Sequence, residues 1–225
     1  MIYEPTIRKK TKLVEPFTLD STIEIKLPSP IKLGSEFIST LEERSSKRYF
    51  SPPNIEDIGG LLFYTCRVKS ADINDYGEQV FYTNVGSPGA LNAISILVCA
   101  CDGSWFAYDP VRHSLKQLEA SASCQKLYER CHGILSTRGT ASLIWCVADM
   151  TLLKSKYENP ETLALRHSGG ISATLALVAQ ALGLSFCQLG ICGVEEATLL
   201  SDKRELLGVG TSLFGRHPDD RVFID

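Results

Sequence analysis

The segment 169–184, GGISATLALVAQALGL, constrains this chain more than any other. Its propensity is helical, yet its apolar residues run around nearly the whole circumference in place of a single stripe. A helix without a polar face has to be covered on every side, by its own core or by a second subunit. Its 16 residues fall short of the ~20 that a membrane span needs, and no other apolar run reaches that length.

The 225 residues, 44% hydrophobic and 22% charged, are enough for one well-packed core, which predicts a single domain over 1–225. Lysine and arginine number 23 against 26 aspartate and glutamate, a net charge of −3, so the whole-protein basic footprint of a nucleic-acid binder is missing. The start, MIYEPTIRKKTKLVEPF, is basic without a following apolar stretch, so the expectation is a cytoplasmic protein with no membrane association. The eight cysteines sit mostly in apolar segments such as ISILVCA and SLIWCVA, and read as buried reduced thiols. Cys99 and Cys101, in a strand, would face the same side. His113, His132, His167 and His217 are scattered without ligand spacing, so no metal site is expected.

Residues 1–34 read as an extended arm, in which the alternation of STIEIKLP marks a strand ended by Pro28 and Pro30. A helix is expected from Ser35, with Phe37, Ile38 and Leu41 on one face, running into LEERS. Asn54 reads as an N-cap with Asp57 at the third helical position and Ile55, Ile58 and Leu62 continuing the stripe. The stretch 69–80 is polar and loop-like. Residues 94–101 and 104–108 suggest buried strands around the turn at Asp102-Gly103, with another turn at Asp109-Pro110. A helix over 120–132 and a strand over 140–148 follow. SFCQLGIC reads as a strand or turn, GVEEATLL as a short helix, and LLGVGTSLFG as a closing strand. Without a regular βαβ repeat, this mixture predicts a layered α+β fold.

Four local patterns carry candidate chemistry. In Arg44-Ser45-Ser46-Lys47-Arg48-Tyr49-Phe50, two arginines four apart would share a helical face with a serine between them. Guanidinium groups suit bidentate phosphate or carbonyl recognition; a solvated basic helix end is the plain alternative. Gly86-Ser87-Pro88-Gly89-Ala90-Leu91-Asn92 is a small-residue turn whose backbone can approach a ligand closely, or an ordinary loop. Cys187-Gln188-Leu189-Gly190 places a glycine where a backbone N–H can be exposed. Lys156-Tyr157 is either a surface pair or a catalytic one.

The order and spacing of these patterns resemble one family. LEERSSKRYF looks like the RRSxRxF signature that opens the flavin-binding part of nitroreductase-fold proteins. GSPGALNAISILV is similar to PSxGALxPxEIYVV of the SagB-type branch, and FAYDPVRHSLKQL to its YxYDPxxHxLxxL. GGISATLALVAQALGLSFCQLG resembles GHxxQNLxLxAxALGLGxCPIG, and the matches run in order from about Thr22 to Arg216. The resemblance implies a central antiparallel sheet flanked by helices, one FMN per active site, and a homodimer whose long core helices pack together. By carry-over, Arg44 and Ser46 would contact the FMN phosphate and ribityl chain, and Arg48 the pyrimidine edge, where reduction puts negative charge. Leu189 and Gly190 would lie near flavin N5, Arg216 would help hold the phosphate, and Ser87 and Gly89 belong to the same cofactor-binding set. Ser45, within that set, stands where the family usually has a second arginine. Gly169-Gly170 replaces its GH, Ala173-Thr174 its QN, and Gln188 its usual proline.

The branch oxidises thiazoline or oxazoline rings in modified peptides to azoles. A base removes the azoline Cα proton, a hydride leaves the adjacent ring carbon for the flavin, and oxygen would reoxidise the cofactor; the protein orients the ring and excludes water. Lys156 and Tyr157 resemble the branch's catalytic pair, and one of them must have its pKa depressed to act as a base near neutrality. The expected partners are therefore a second copy of the chain, a peptide or carrier-bound heterocycle, and a cyclodehydratase. An NAD(P)H-dependent nitroreductase or flavin reductase is the first alternative, and a degenerate scaffold in a maturation complex the second.

Overall fold

The computed structural model describes residues 3–19, 21–30, 34–74, 77, 79–119, 121–134 and 138–218. Residues 1–2, 20 and 31–33 of the expected arm, and 219–225 of the expected single domain, lie outside the described residues. Seven strands form the main sheet: β1 Glu24–Lys26, β2 Ile94–Cys99, β3 Trp105–Asp109, β4 Ser114–Leu118, β5 Ser142–Asp149, β6 Leu184–Leu189 and β7 Leu206–Arg216. Their order is β6-β7-β5-β2-β3-β4-β1, with every neighbouring pair antiparallel. The described helices are α1 Phe37–Glu43, α2 Ile55–Cys66, α3 Ala122–Ile134, α4 Met150–Lys156, α5 Glu161–Ala181 and α6 Val194–Ala197. This is the expected α+β class.

The central strand β5 explains the layering. All eight of its residues are buried, so both faces of the sheet must be covered. Ile144, Cys146 and Ala148 point into one core with α2 and α5, while Leu143, Trp145 and Val147 point into another with α3. The six cysteines at 66, 99, 124, 131, 146 and 187 are buried in these cores, and all eight are free thiols, in keeping with their reading as small hydrophobes.

α2 opens as its sequence predicts. Asn54 Oδ1 accepts from the Asp57 N–H at 2.8 Å, and Asp57 Oδ2 accepts from the Asn54 N–H at 2.9 Å, a reciprocal capping box. α5 starts eight residues earlier than its apolar run, because Pro160 sets the entry and the first half has a polar side, with Leu163, Ala164 and His167 buried and Leu165 and Arg166 exposed. No described helix is long and apolar enough to cross a membrane.

Four expectations need correction. The stretch 69–80 is not simply a loop: Ser70–Ile73 pairs with Gln79–Tyr82, and its polar composition reflects a hairpin exposed on nearly every residue. α1 forms, but Phe37, Ile38 and Leu41 are 65%, 64% and 46% exposed rather than packed inward. The helix also ends at Glu43, with Arg44 an extended C-cap, so Arg44 and Arg48 do not share a helical face. Cys101 lies in the turn after β2, not in the strand with Cys99.

The arm is tied down at two points. Thr6–Ile7 pairs antiparallel with Tyr157–Glu158, and the Arg8 N–H and Nε donate to the carbonyls of Lys156 (3.0 Å) and Lys154 (2.7 Å). Further along, the Phe17 N–H donates to Asp149 Oδ2 at 3.1 Å. That buried carboxylate also caps α4 through the Leu152 N–H at 2.9 Å and pairs with Arg204 at 3.3 Å. Replacing Asp149 by alanine removes a helix cap and leaves Arg204 and the Phe17 N–H without this acceptor. An Asp149→Ala variant is expected to lose about 2–4 kcal/mol of stability, seen as a lowered urea midpoint with an unchanged slope.

Candidate functional site

Lys156 and Tyr157 owe their place to α4, whose last residue is Lys156, and to the bridge between Tyr157 and Ile7 of the arm. The Lys156 ammonium donates to the Gly89 carbonyl at 3.4 Å. A Cβ placed on Gly89 would stand 2.5 Å from the Tyr157 hydroxyl and 3.1 Å from Lys156 Nζ. The structure thus brings together Lys156, Tyr157 and Gly89, three residues the sequence nominates from distant stretches.

The loop facing the pair is held in an unusual shape. Gly89, Ala90 and Asn92 have φ of +57°, +56° and +47°, the left-handed region that costs an ordinary side chain energy. Asn92 compensates: its N–H donates to Ser87 Oγ at 2.8 Å, and its side-chain amide donates to the Phe81 carbonyl at 2.7 Å. Ser87, expected at the cofactor, therefore spends its hydroxyl oxygen inside the loop. Asn92 is the residue that sequence reasoning missed, although asparagine in a small-residue turn is the signal for left-handed backbone.

Burial raises the Tyr157 phenol above its ordinary value. That direction is opposite to the depression expected for a base, so Tyr157 keeps its proton near neutrality. Lys156 beside it is half-buried.

A second cluster lies along the sheet edge. The segment 44–48 leaves α1 and runs beside β6, where the Lys47 N–H donates to the Phe186 carbonyl at 2.9 Å. Arg44, Ser45, Ser46 and Arg48 are exposed, and neither arginine makes an ion pair among the described residues. Leu189, buried, ends β6, and Gly190 after it is exposed with open space where a Cβ would be. The segment 44–48 thus exposes two guanidinium groups and serine hydroxyls, donors of the kind that suit a phosphate or an electron-rich ring edge. Arg216 Nε pairs with Asp57 Oδ2 at 2.6 Å, so this side chain ties the end of β7 to the cap of α2.

No protein-family model matches the sequence, and no curated protein matches it. Solved structures do. A protein of Ralstonia eutropha assigned to the nitroreductases superposes with a TM-score of 0.66 at 18% identity, covering 93% of this chain and 99% of that one. The E. coli microcin synthetase McbBCD complex, with truncated pro-MccB17 bound, gives a TM-score of 0.54 at 18% identity, covering 86% of this chain and 76% of the matched one. A Desulfovibrio desulfuricans protein assigned to the nitroreductases, crystallised in complex with FMN, gives 0.53 at 17%, covering 82% and 88%. The fold is nitroreductase-like.

The Gly89 contact carries its own test. Gly89→Ala introduces a left-handed alanine against the Tyr157 hydroxyl, and a loss of about 1–2 kcal/mol is expected in chemical denaturation. Removing that hydroxyl in Gly89→Ala/Tyr157→Phe relieves the contact, so the double variant is expected to be more stable than the sum of the single changes.

Proposed function

We propose that this chain is an FMN-dependent oxidoreductase that oxidises a thiazoline or oxazoline ring, in a peptide or carrier-bound intermediate, to the azole. The observation that carries this reading is the placement of Lys156 and Tyr157 against the Gly89 loop, in a fold shared with a microcin synthetase complex. Arg44 and Ser46 would hold the FMN phosphate and ribityl chain, Arg48 the pyrimidine edge, and Leu189 and Gly190 the face of the ring. Bound FMN supplies the acceptor for the two electrons that leave the heterocycle.

The chain's own residues handle the proton. Lys156 is the proposed acceptor of the Cα proton that the flanking C=N and carbonyl acidify. The Tyr157 hydroxyl, kept protonated by its burial, donates a hydrogen bond that orients the ring. Because an azoline forms by ring closure with loss of water, the enzyme would act after a cyclodehydratase.

The proposed active form is a homodimer. Phe37, Ile38 and Leu41 leave an apolar face of α1 exposed beside α5, whose Ala173 is exposed and Leu177 only partly covered. A second subunit covers such a face at a gain of roughly 25 cal/mol per Å².

Flavin content tests the cofactor. The purified protein is expected to be yellow and to release FMN on denaturation. Arg44→Ala should weaken binding by about 1.5–3 kcal/mol, as loss of a charge-assisted contact does; full occupancy after dilute dialysis would remove Arg44 from the site.

Turnover tests the chemistry. Lys156→Ala and Tyr157→Phe are expected to stay folded and yellow while azoline oxidation falls by about 10²-fold or more for the lysine. Unchanged turnover in both would sink the assignment. The likeness to proteins assigned to the nitroreductases favours a reductase as the second reading; rapid bleaching of the flavin on mixing with NADPH would select it.

A further inference from the structure

Behind the loop that carries Gly89 lies a cavity of about 330 Å³, walled by β2, β3, the end of α2, the first half of α5 and residues 16–19 of the arm. Leu91 and Asn92 of the loop line it, but none of Arg44, Ser46, Arg48, Gly190, Lys156 and Tyr157 does, so it is separate from the site proposed above. Most of the lining is apolar, with Val85 and Leu91 from the connection before β2, Ile96 from β2 and Ile171 from α5. Polar side chains interrupt it, among them Thr65 and His167. Thr65 is 0% and His167 7% exposed, and neither makes a side-chain hydrogen bond among the described residues. An imidazole that no protein group engages, beside a space of this size, is free to bond what fills that space.

The lining also selects the partner's charge. Burial lowers the His167 pKa to about 4, so near neutrality the ring is uncharged and presents one donor and one acceptor nitrogen. Lys116, the only lysine or arginine in the lining among the described residues, is bonded to Asp109 at 3.0 Å. A carboxylate or an ammonium would lose its hydration there without an unpaired counter-charge. A plain hydrocarbon would leave His167 unpaired. An engineered cavity of about 150 Å³ already accepts benzene, so the volume here admits one ring with a short substituent.

We propose that this cavity is a binding site for a small neutral compound of the phenol class. Its ring fills the space between Val85, Leu91, Ile96 and Ile171, and its hydroxyl is hydrogen-bonded at the His167 imidazole. The site stands on these residues whether or not the chain oxidises azolines.

The test uses the purified full chain with its bound flavin and three probes of one shape: 4-ethylphenol, ethylbenzene and 4-ethylbenzoate. Titration calorimetry is expected to show saturable binding of 4-ethylphenol, with the other two about tenfold weaker or worse, as the loss of one hydrogen bond implies. In His167→Leu the preference for 4-ethylphenol over ethylbenzene should vanish. Should that variant fail to fold, the unaltered protein decides: with histidine nitrogens labelled, 4-ethylphenol should move the His167 ring signals and leave the flavin absorbance unchanged. Absence of saturable binding to millimolar concentration, equal affinity for the three probes, or a perturbed flavin with unmoved His167 signals would each overturn the proposal.

Discussion

Asp149 ends the strand that is buried on both faces and begins the helix that presents Lys156, and its carboxylate is itself only 3% exposed. A carboxylate taken out of water needs donors, and it has three: the Leu152 N–H, the Phe17 N–H and the Arg204 guanidinium. Each donor ties a different part of the molecule to the end of β5. Leu152 sets the start of α4 and hence the height at which Lys156 and Tyr157 emerge. Phe17 pins the arm where residues 16–19 wall the cavity, and Arg204 anchors the approach to β7 while donating to the Glu15 carbonyl. The Asp149 N–H donates to the Ala93 carbonyl at 2.8 Å, just past the loop that carries Gly89. The proposed proton-handling pair and the loop it faces are thus both hung from one residue.

Much of this was legible in the sequence. The capping box at Asn54 and Asp57, the β2–β3 hairpin around Asp102-Gly103 and the all-buried β5 are each encoded by local spacing, and local rules suffice where a few neighbouring residues make the interaction. The meeting of Gly89 with Lys156 and Tyr157 is not local, and no spacing rule brings two stretches so far apart in the chain together. Asp149 was invisible for the opposite reason: one aspartate after an apolar run looks like an ordinary cap, and its other partners are 132 and 55 residues away. The hairpin at 70–82 was hidden because its first strand, Ser70–Ile73, is exposed on all four residues, which erases the alternation that marks a half-buried strand.

The uncovered face of α1 and the half-covered second part of α5 bear on where one flavin can sit. Glu43 at the end of α1 accepts from the side chain of Gln180 near the C-terminal end of α5, at 3.4 Å, and Arg44 follows at once. Lys156 and Tyr157 precede the N-terminus of the same helix. At 1.5 Å per residue, the 21 residues of α5 separate its ends by about 30 Å. The phosphate and the reactive ring atom of one FMN are much closer together than that. Within one chain, therefore, the arginines proposed for the phosphate and the pair proposed for the proton stand toward opposite ends of α5. Two copies related by a twofold axis, with their α5 helices antiparallel, would bring each chain's Lys156 and Tyr157 toward the other's Arg44 and Arg48 and would cover the apolar face of α1 in the same step. On the proposed reading, the demand for a second subunit made by the apolar run 169–184 and the demand for a complete flavin site are met by a single interface.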